Sequence, residues 1–174
     1  VELLPGAAEA LSRFARAGAR LFLVTNQSGI GRGYFGLEDF QATQRRLEEL
    51  LAQGGVALDG VAFCPHAPDD GCACRKPSTG MWEELRRRHG LSPETTAMIG
   101  DNASDAAFGR ACGLAESVLV LTGHGKAFAK GLGLPDSLDA PPGWARVASP
   151  APGQPTALAR DLASAADLLL QPGR

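Results

Sequence analysis

The sequence lacks an excess of charge of either sign, since 17 lysines and arginines stand against 19 aspartates and glutamates in 174 residues. A surface with balanced charge creates no field that would hold a polyanion. We therefore expect neither nucleic acid nor an anionic membrane as a partner. Any phosphate group would have to be bound by a few local cations.

Long hydrophobic runs are also absent. No apolar stretch approaches the roughly 18 to 20 residues that cross a bilayer, and no charged segment followed by an apolar one opens the sequence. The 44% apolar and 21% charged residues are typical of a globular protein and exclude a disordered or fibrous chain. We expect one cytoplasmic, monomeric domain over residues 1–174 with a single core.

The cysteines are too unevenly placed for a disulfide framework, because three of the four lie between residues 64 and 74. Cys64 and His66 are followed by a turn-forming segment and then by Cys72 and Cys74. Three thiols and one imidazole are the ligand set of a tetrahedral structural zinc site, which predicts a zinc loop over 64–74. The alternative is three reduced thiols and a surface histidine.

The hydrophobic pattern alternates between helical and strand periods, which predicts an α/β fold with a mostly parallel sheet and ligands at the carboxyl ends of its strands. Helices are expected at 6–17, 37–53, 79–89 and 104–112, and strands at 20–25, 61–63, 97–99 and 118–121. Residues 131–156 are rich in proline and glycine and predict a long surface connection. A last helix is expected over 157–170.

Polar residues follow two of the predicted strands. Thr25 begins a turn of hydroxyl and amide side chains whose donors suit phosphate oxygens, although such a segment can also be a simple turn. Asp101 and Asp105 follow another strand, where carboxylate oxygens would hold Mg²⁺. Asp105 could instead be an acid stabilised by the N-terminus of a helix.

Two adjacent cations, Arg75 and Lys76, directly follow the predicted zinc loop and precede a proline. Held stiffly in this way, they could neutralise a phosphate group. The alternative is a pair of solvated surface cations.

Together these motifs resemble the haloacid dehalogenase (HAD) superfamily of phosphohydrolases, in the branch of the heptose bisphosphate and histidinol phosphatases. The resemblance runs from Pro5 to about Gly123. It implies a Rossmannoid three-layer sandwich and Mg²⁺-dependent hydrolysis of a phosphate ester through an aspartyl-phosphate. The motifs that carry it, in the order and spacing of the family, are Thr25–Gly29, Cys64–His66, Cys72–Pro77 and Gly100–Asp105.

The resemblance also implies roles for individual residues. Thr25 and the amide of Asn26 would hold the transferred phosphoryl group, and Lys76 would neutralise it. Asp101 would bind Mg²⁺, with Asp105 supporting the lysine and the metal site. The residues expected to contact the substrate are Gln27, Ser28, Arg32 and Arg75.

The substrate that the resemblance favours is a sugar bisphosphate, because Gly80 and Met81 follow the Lys76–Pro77 pair as in the heptose enzymes. The particular expectation is removal of the 7-phosphate of D-glycero-D-manno-heptose 1,7-bisphosphate. Alternatives are histidinol phosphate as substrate, or a phosphate-binding module that performs no chemistry.

One motif of the family is missing. The reaction needs two aspartates in a D-x-D-G-[TV] motif on the first strand, and the 174 residues contain no such motif. We expect that this strand is absent and the chain incomplete, with an interruption between the strands that end at Thr25 and Gly100. The chain by itself would then release no phosphate.

Overall fold

The structure is a computed structural model, and it describes residues 1–171. Helices and strands alternate along the chain. The strands are β1 (Phe22–Asn26), β2 (Gly60–Cys64), β3 (Ala97–Gly100), β4 (Glu116–Val120), β5 (Trp144–Arg146) and β6 (Ala157–Ala159). The α-helices are α1 (Ala7–Arg16), α2 (Ser28–Gly31), α3 (Leu37–Gln53), α4 (Gly80–His89), α5 (Ala103–Ala111), α6 (Gly125–Gly131) and α7 (Leu162–Leu169).

The strands form two sheets in the described part of the chain. β1 and β2 pair in parallel, with Asn26 opposite Cys64 at their carboxyl ends. The second sheet has the order β3-β4-β6-β5 and is parallel except for the β5–β6 pair. No ladder joins β1 to β3 within residues 1–171, so the interruption expected between them is present. That a strand with the D-x-D motif belongs there stays a prediction.

Helices cover both faces of the four-stranded sheet. The side chains of each strand alternate between the two faces, so both faces carry apolar side chains that a helix can bury. Val118 and Val120 of β4 pack towards α7, whereas Leu119 packs with Leu158 and with Ala129 of α6. All five residues of β4 are buried. The result is the predicted α/β layering with a mostly parallel sheet.

The predicted helices and strands up to β4 agree with the structure to within two residues at each end, and α3 has the bounds predicted. The start of α3 is set by Asp39, whose Oδ2 accepts a hydrogen bond from the backbone N–H of Gly36 at 2.8 Å. Of the helices in residues 1–171, none has both the length and the apolarity required to cross a bilayer.

The C-terminal predictions are wrong in part. The expected connection at 131–156 contains β5, and the expected helix at 157–170 begins with β6 before α7 starts at Leu162. The alanine-rich run suggests a helix, but it is buried between β4 and β5, where ladder hydrogen bonds satisfy its backbone. Asp161 marks the true helix start, since its side chain accepts a hydrogen bond from the N–H of Ser164 at 2.8 Å.

Candidate active site and metal centre

Lys76 is a buried cation at the carboxyl ends of the strands, with 8% of its surface exposed. Its Nζ lies 2.6 Å from Oδ1 of Asp105 and donates a hydrogen bond of 2.6 Å to the carbonyl oxygen of Val24 in β1. A buried ammonium requires such partners because its desolvation is otherwise unfavourable. The alternative of a solvated surface cation is therefore wrong for Lys76.

Asp105 is held in place by the first turn of α5. Its Oδ2 accepts a hydrogen bond from the N–H of Asn102 at 3.1 Å, and Asn102 in turn caps the helix through the N–H of Ser104 at 3.0 Å. Gly100 is required next to it, because a Cβ at that position would overlap the Asp105 carboxylate. Asp105 is thus both a helix-terminal acid and the ion-pair partner of Lys76.

Asn26 bonds to the backbone of the residue that carries the buried ammonium. Its Nδ2 donates to the carbonyl of Lys76 at 3.2 Å, and its Oδ1 accepts from the N–H of Lys76 at 3.0 Å. Both polar atoms of the Asn26 side chain therefore bind the backbone of Lys76 and position that residue. The sequence alone could not reveal this contact, since the two residues are far apart in the chain.

The turn after β1 is connected to the cysteine-rich loop. Gln27 donates a hydrogen bond from its backbone N–H to the carbonyl of Cys64 at 2.7 Å, and from Nε2 to Oγ1 of Thr25 at 3.0 Å. Ser28 begins α2, and Arg32 is exposed just after that helix ends. The N–H of Gly31 donates to the carbonyl of Pro65 at 2.8 Å.

Asp101 leaves β3 directly and contacts a residue that the sequence analysis missed. Its Oδ2 accepts a hydrogen bond from the N–H of His124 at 2.9 Å. Gly123 has a φ of 55°, and a Cβ there would overlap the Asp101 carboxylate. The second oxygen of Asp101 accepts no hydrogen bond from residues 1–171. His124 could have been found from its position shortly after β4, because the carboxyl ends of the parallel strands β3 and β4 lie at the same end of the sheet.

The predicted zinc ligands meet in one cluster. The ligand atoms of Cys64, His66, Cys72 and Cys74 all lie within 4.8 Å of one another. The Sγ atom of Cys72 is 3.5 Å from that of Cys64 and 3.6 Å from that of Cys74. Tetrahedral coordination with Zn–S bonds of about 2.3 Å separates sulfur atoms by about 3.8 Å. The arrangement therefore fits a four-coordinate metal, and zinc is compatible with these ligands.

The thiols of this cluster have perturbed acidities. Burial raises the pKa of Cys74 to about 12, with further contributions from the Cys64 and Cys72 thiols. Burial would also raise the pKa of Cys72, but hydrogen bonds from the two neighbouring thiols and from backbone N–H groups lower it to about 7. A divalent cation would favour the thiolate form of each ligand. Cys112 lies apart from the cluster, and burial, followed by the Glu83 charge, raises its pKa to about 12.

Arg75 lies in the chain between Cys74 of the cluster and the buried Lys76. Its Nη1 atom is buried and has no hydrogen-bond partner among residues 1–171. An unpaired buried guanidinium N–H is unfavourable by about 1 to 3 kcal/mol, more when charged, so this donor needs a partner that the described residues do not supply.

The sequence matches family profiles that belong to one class of hydrolases. The profile described as haloacid dehalogenase-like hydrolase matches residues 1–113, and one described as HAD-hydrolase-like matches residues 73–165. The chain belongs to the haloacid dehalogenase-like hydrolases.

Two individual relatives carry the name of one particular phosphatase. The chain is 37% identical over 169 residues to the D-glycero-β-D-manno-heptose-1,7-bisphosphate 7-phosphatase of Bordetella bronchiseptica, covering 97% of this chain and 83% of the relative. It is 40% identical over 122 residues to the enzyme of the same name from Pseudomonas aeruginosa, covering 70% of this chain and 68% of the relative.

Solved structures of phosphatases with corresponding names are similar to this chain in fold. The B. bronchiseptica D,D-heptose 1,7-bisphosphate phosphatase, complexed with magnesium and phosphate, superposes with a TM-score of 0.78 at 34% identity, covering 97% of this chain and 83% of the other. The corresponding phosphatase of Burkholderia thailandensis gives a TM-score of 0.67 at 29% identity, covering 97% of this chain and 86% of the other.

Proposed function

We propose that residues 1–174 belong to a single catalytic domain of a Mg²⁺-dependent sugar bisphosphate phosphatase, without the segment that carries its nucleophile. The proposed reaction removes the 7-phosphate of D-glycero-β-D-manno-heptose 1,7-bisphosphate. The observation that carries the proposal is the buried ammonium of Lys76, held by Asp105 and by the carbonyl of Val24, the residue before Thr25 in β1. The names of the relatives and the neighbour that binds magnesium and phosphate support it. The proposal includes a monomeric, cytoplasmic enzyme without nucleic acid or membrane partners.

In this proposal three groups hold the transferred phosphoryl group. The Thr25 hydroxyl and the backbone N–H of Asn26 donate to its oxygens, and the Lys76 ammonium neutralises their charge. The Asn26 side chain acts through Lys76, because both of its polar atoms bind the lysine backbone. Asp105 holds the ammonium in position through their ion pair.

Further donors would bind the rest of the substrate. Gln27 and Ser28 directly follow β1, which contains Thr25, and the cations of Arg32 and Arg75 would bind the second phosphate. Arg75 supports this role through its buried Nη1, which no residue of 1–171 satisfies.

Asp101 would hold Mg²⁺ through the carboxylate oxygen that accepts no hydrogen bond from the described residues. A bound Mg²⁺ would stabilise negative charge on the oxygens of the transferring phosphoryl group. The hydrogen bond from the His124 N–H to the other oxygen would orient this carboxylate.

The proposed reaction needs a nucleophilic aspartate, and the 174 residues contain no D-x-D motif that would supply it. We propose that transfer requires an extended segment with this motif between β1 and β3, which are not paired with each other in residues 1–171. The 174-residue chain with Mg²⁺ should release no phosphate from the heptose bisphosphate, whereas the chain supplied with such a segment should release it. Robust turnover by the 174 residues alone contradicts this step, and faster hydrolysis of histidinol phosphate by the supplemented chain contradicts the substrate.

The phosphate site can be tested by binding, which does not depend on the nucleophile. Lys76→Met should weaken the binding of inorganic phosphate in the presence of Mg²⁺ by about tenfold or more, as measured by titration calorimetry, because a charged hydrogen bond is lost. Arg45→Met is the matched control, since Arg45 lies exposed on α3. Equal effects of the two substitutions would show that the site is misplaced, and circular dichroism checks that both variants fold.

The zinc loop is the second metal centre of the proposal, with a structural role that positions Arg75 and Lys76. Elemental analysis of the purified chain should find one zinc per molecule. Cys72→Ala should abolish that zinc, increase hydrogen exchange over residues 64–76 and weaken phosphate binding, whereas Cys112→Ala should retain the zinc. Zinc-free protein with an ordered loop and normal phosphate affinity would contradict this role.

A further inference from the structure

A cavity of about 260 Å³ lies beside the turn that follows β1. Gln27 connects the two places, because it lines the cavity while its Nε2 donates to the Thr25 hydroxyl at 3.0 Å. A molecule with a phosphate at Thr25 could therefore extend past Gln27 towards the cavity. The cavity is lined by Gln27, Phe35, Asp39, Phe40 and Thr43.

Exposed aromatic and aliphatic side chains are concentrated next to this cavity. Tyr34, Phe35 and Leu37 are 75%, 37% and 46% exposed, and the other exposed large hydrophobic residues of 1–171 lie at the N-terminal end, at Val1 and Leu4. Exposed apolar groups that occur together mark binding surfaces more often than isolated ones do. The ring of Phe35 is held in place, because it packs so closely on Gly29 that a Cβ there would overlap it.

The polar groups of the cavity are available to a ligand. One carboxylate oxygen of Asp39 accepts from the N–H of Gly36, and the other has no hydrogen-bond partner in residues 1–171. The hydroxyl of Thr43, one turn later on the same face of α3, also makes no hydrogen bond with the described residues. The cavity therefore combines aromatic walls with a few free donors and acceptors, as small-molecule sites do.

The charge of the cavity distinguishes between the parts of a sugar bisphosphate. Asp39 is the charged residue among its lining, so it repels a second phosphate group and accepts hydrogen bonds from hydroxyl groups. The C–H faces of a sugar would pack against the ring of Phe35. The volume is below the roughly 300 to 1,000 Å³ of drug-sized sites, which suits one part of a small molecule.

We propose that this cavity is a specificity subsite that binds the hydroxylated carbon chain of the substrate, with Phe35, Asp39 and Thr43 as its recognition residues. The proposal rests on the proposed function, since it takes the phosphate at Thr25 as its starting point. The second phosphate then lies outside the cavity. The subsite thus distinguishes a sugar phosphate from inorganic phosphate.

Filling the cavity with a ring tests this assignment in the 174-residue chain with Mg²⁺. Thr43→Phe should weaken the binding of D-glycero-β-D-manno-heptose 1,7-bisphosphate by about tenfold or more, in the range that pocket contacts provide, and leave the affinity for inorganic phosphate unchanged. Ala42→Phe is the control, because Ala42 is exposed on the same helix and does not line the cavity. Calorimetry measures both ligands for each variant.

A second variant removes charge without adding volume. Asp39→Asn retains an oxygen that can accept from the Gly36 N–H and removes the charged acceptor, so it should weaken binding of the bisphosphate alone. If both Thr43→Phe and Asp39→Asn bind the bisphosphate as the unaltered chain does, the subsite is overturned while the phosphate site stands. If the unaltered chain binds neither ligand, the proposed function fails together with the subsite.

Discussion

The two sheets of the molecule differ in how completely they are covered. All five residues of β4, at the centre of the larger sheet, are buried, whereas all five residues of β1 are only partly buried. The carbonyl of Val24 in β1 accepts its hydrogen bond from the Lys76 ammonium. The well-covered sheet therefore provides most of the core, and the less covered one carries the groups proposed to bind phosphate.

One buried ion pair connects these two regions. Lys76 follows the cysteine-rich loop that leaves β2, while Asp105 belongs to α5, which packs on β3 and β4. The site therefore does not belong to the smaller sheet alone. Its central cation depends on an acid that the larger sheet positions.

Breaking this ion pair gives the largest expected effect. Asp105→Ala should lower the free energy of unfolding by about 3 to 5 kcal/mol, because it leaves a buried ammonium without its counter-ion. Asp167→Ala removes the partner of Arg13 in a pair of similar length, 2.7 Å against 2.6 Å, but Asp167 is half exposed, so about 1 kcal/mol or less should be lost. Urea unfolding measures both, and similar losses would mean that the two regions are not coupled through this pair.

Truncating one leucine in each sheet measures how much each sheet contributes to the core. Leu119→Ala in β4 should cost about 2 to 5 kcal/mol, because the side chain is fully buried and its removal leaves a cavity. Leu23→Ala in β1 should cost about half as much or less, since that residue is only partly buried. Thermal and urea unfolding of both variants measure the difference, and an equal cost would contradict the assignment of the main core to the larger sheet.

The smallest expected effect on stability concerns the start of α7, which packs on the larger sheet. Asp161→Ala should lower the free energy of unfolding by about 1 kcal/mol, the usual loss for a helix N-cap. Asn102→Ala removes the corresponding cap of α5 beside the site, and a similar loss is expected. A much larger loss for Asn102 would show that the cap also supports the ion pair of Asp105.

The contribution of Asp161 should also depend on pH. Burial acts to raise its pKa, but hydrogen bonds from Ser164 and from Arg160 outweigh it and hold the pKa below the ordinary value of 3.8. Stability from this carboxylate is therefore complete above that value and is lost as the pH falls through the lowered pKa. The difference in unfolding free energy between the wild type and Asp161→Ala should accordingly decrease in acid.

Local sequence determined the elements whose signals lie within a few residues. The bounds of α3 followed from its hydrophobic period, and the cysteine-rich loop followed from four ligand-type side chains at close spacing. In both cases the partners are near in the chain, so the pattern itself contains the interaction.

Only the tertiary structure decided the parts that depend on distant neighbours. Ala157–Ala159 is a strand because it is buried between β4 and β5, and Asn26 is a positioning residue because the chain returns to bring Lys76 beside it. The contact of Asp101 with His124 likewise joins the ends of two strands. Such contacts have no local period or motif, because backbone pairing and the burial of charge are satisfied across the sheet rather than along the sequence.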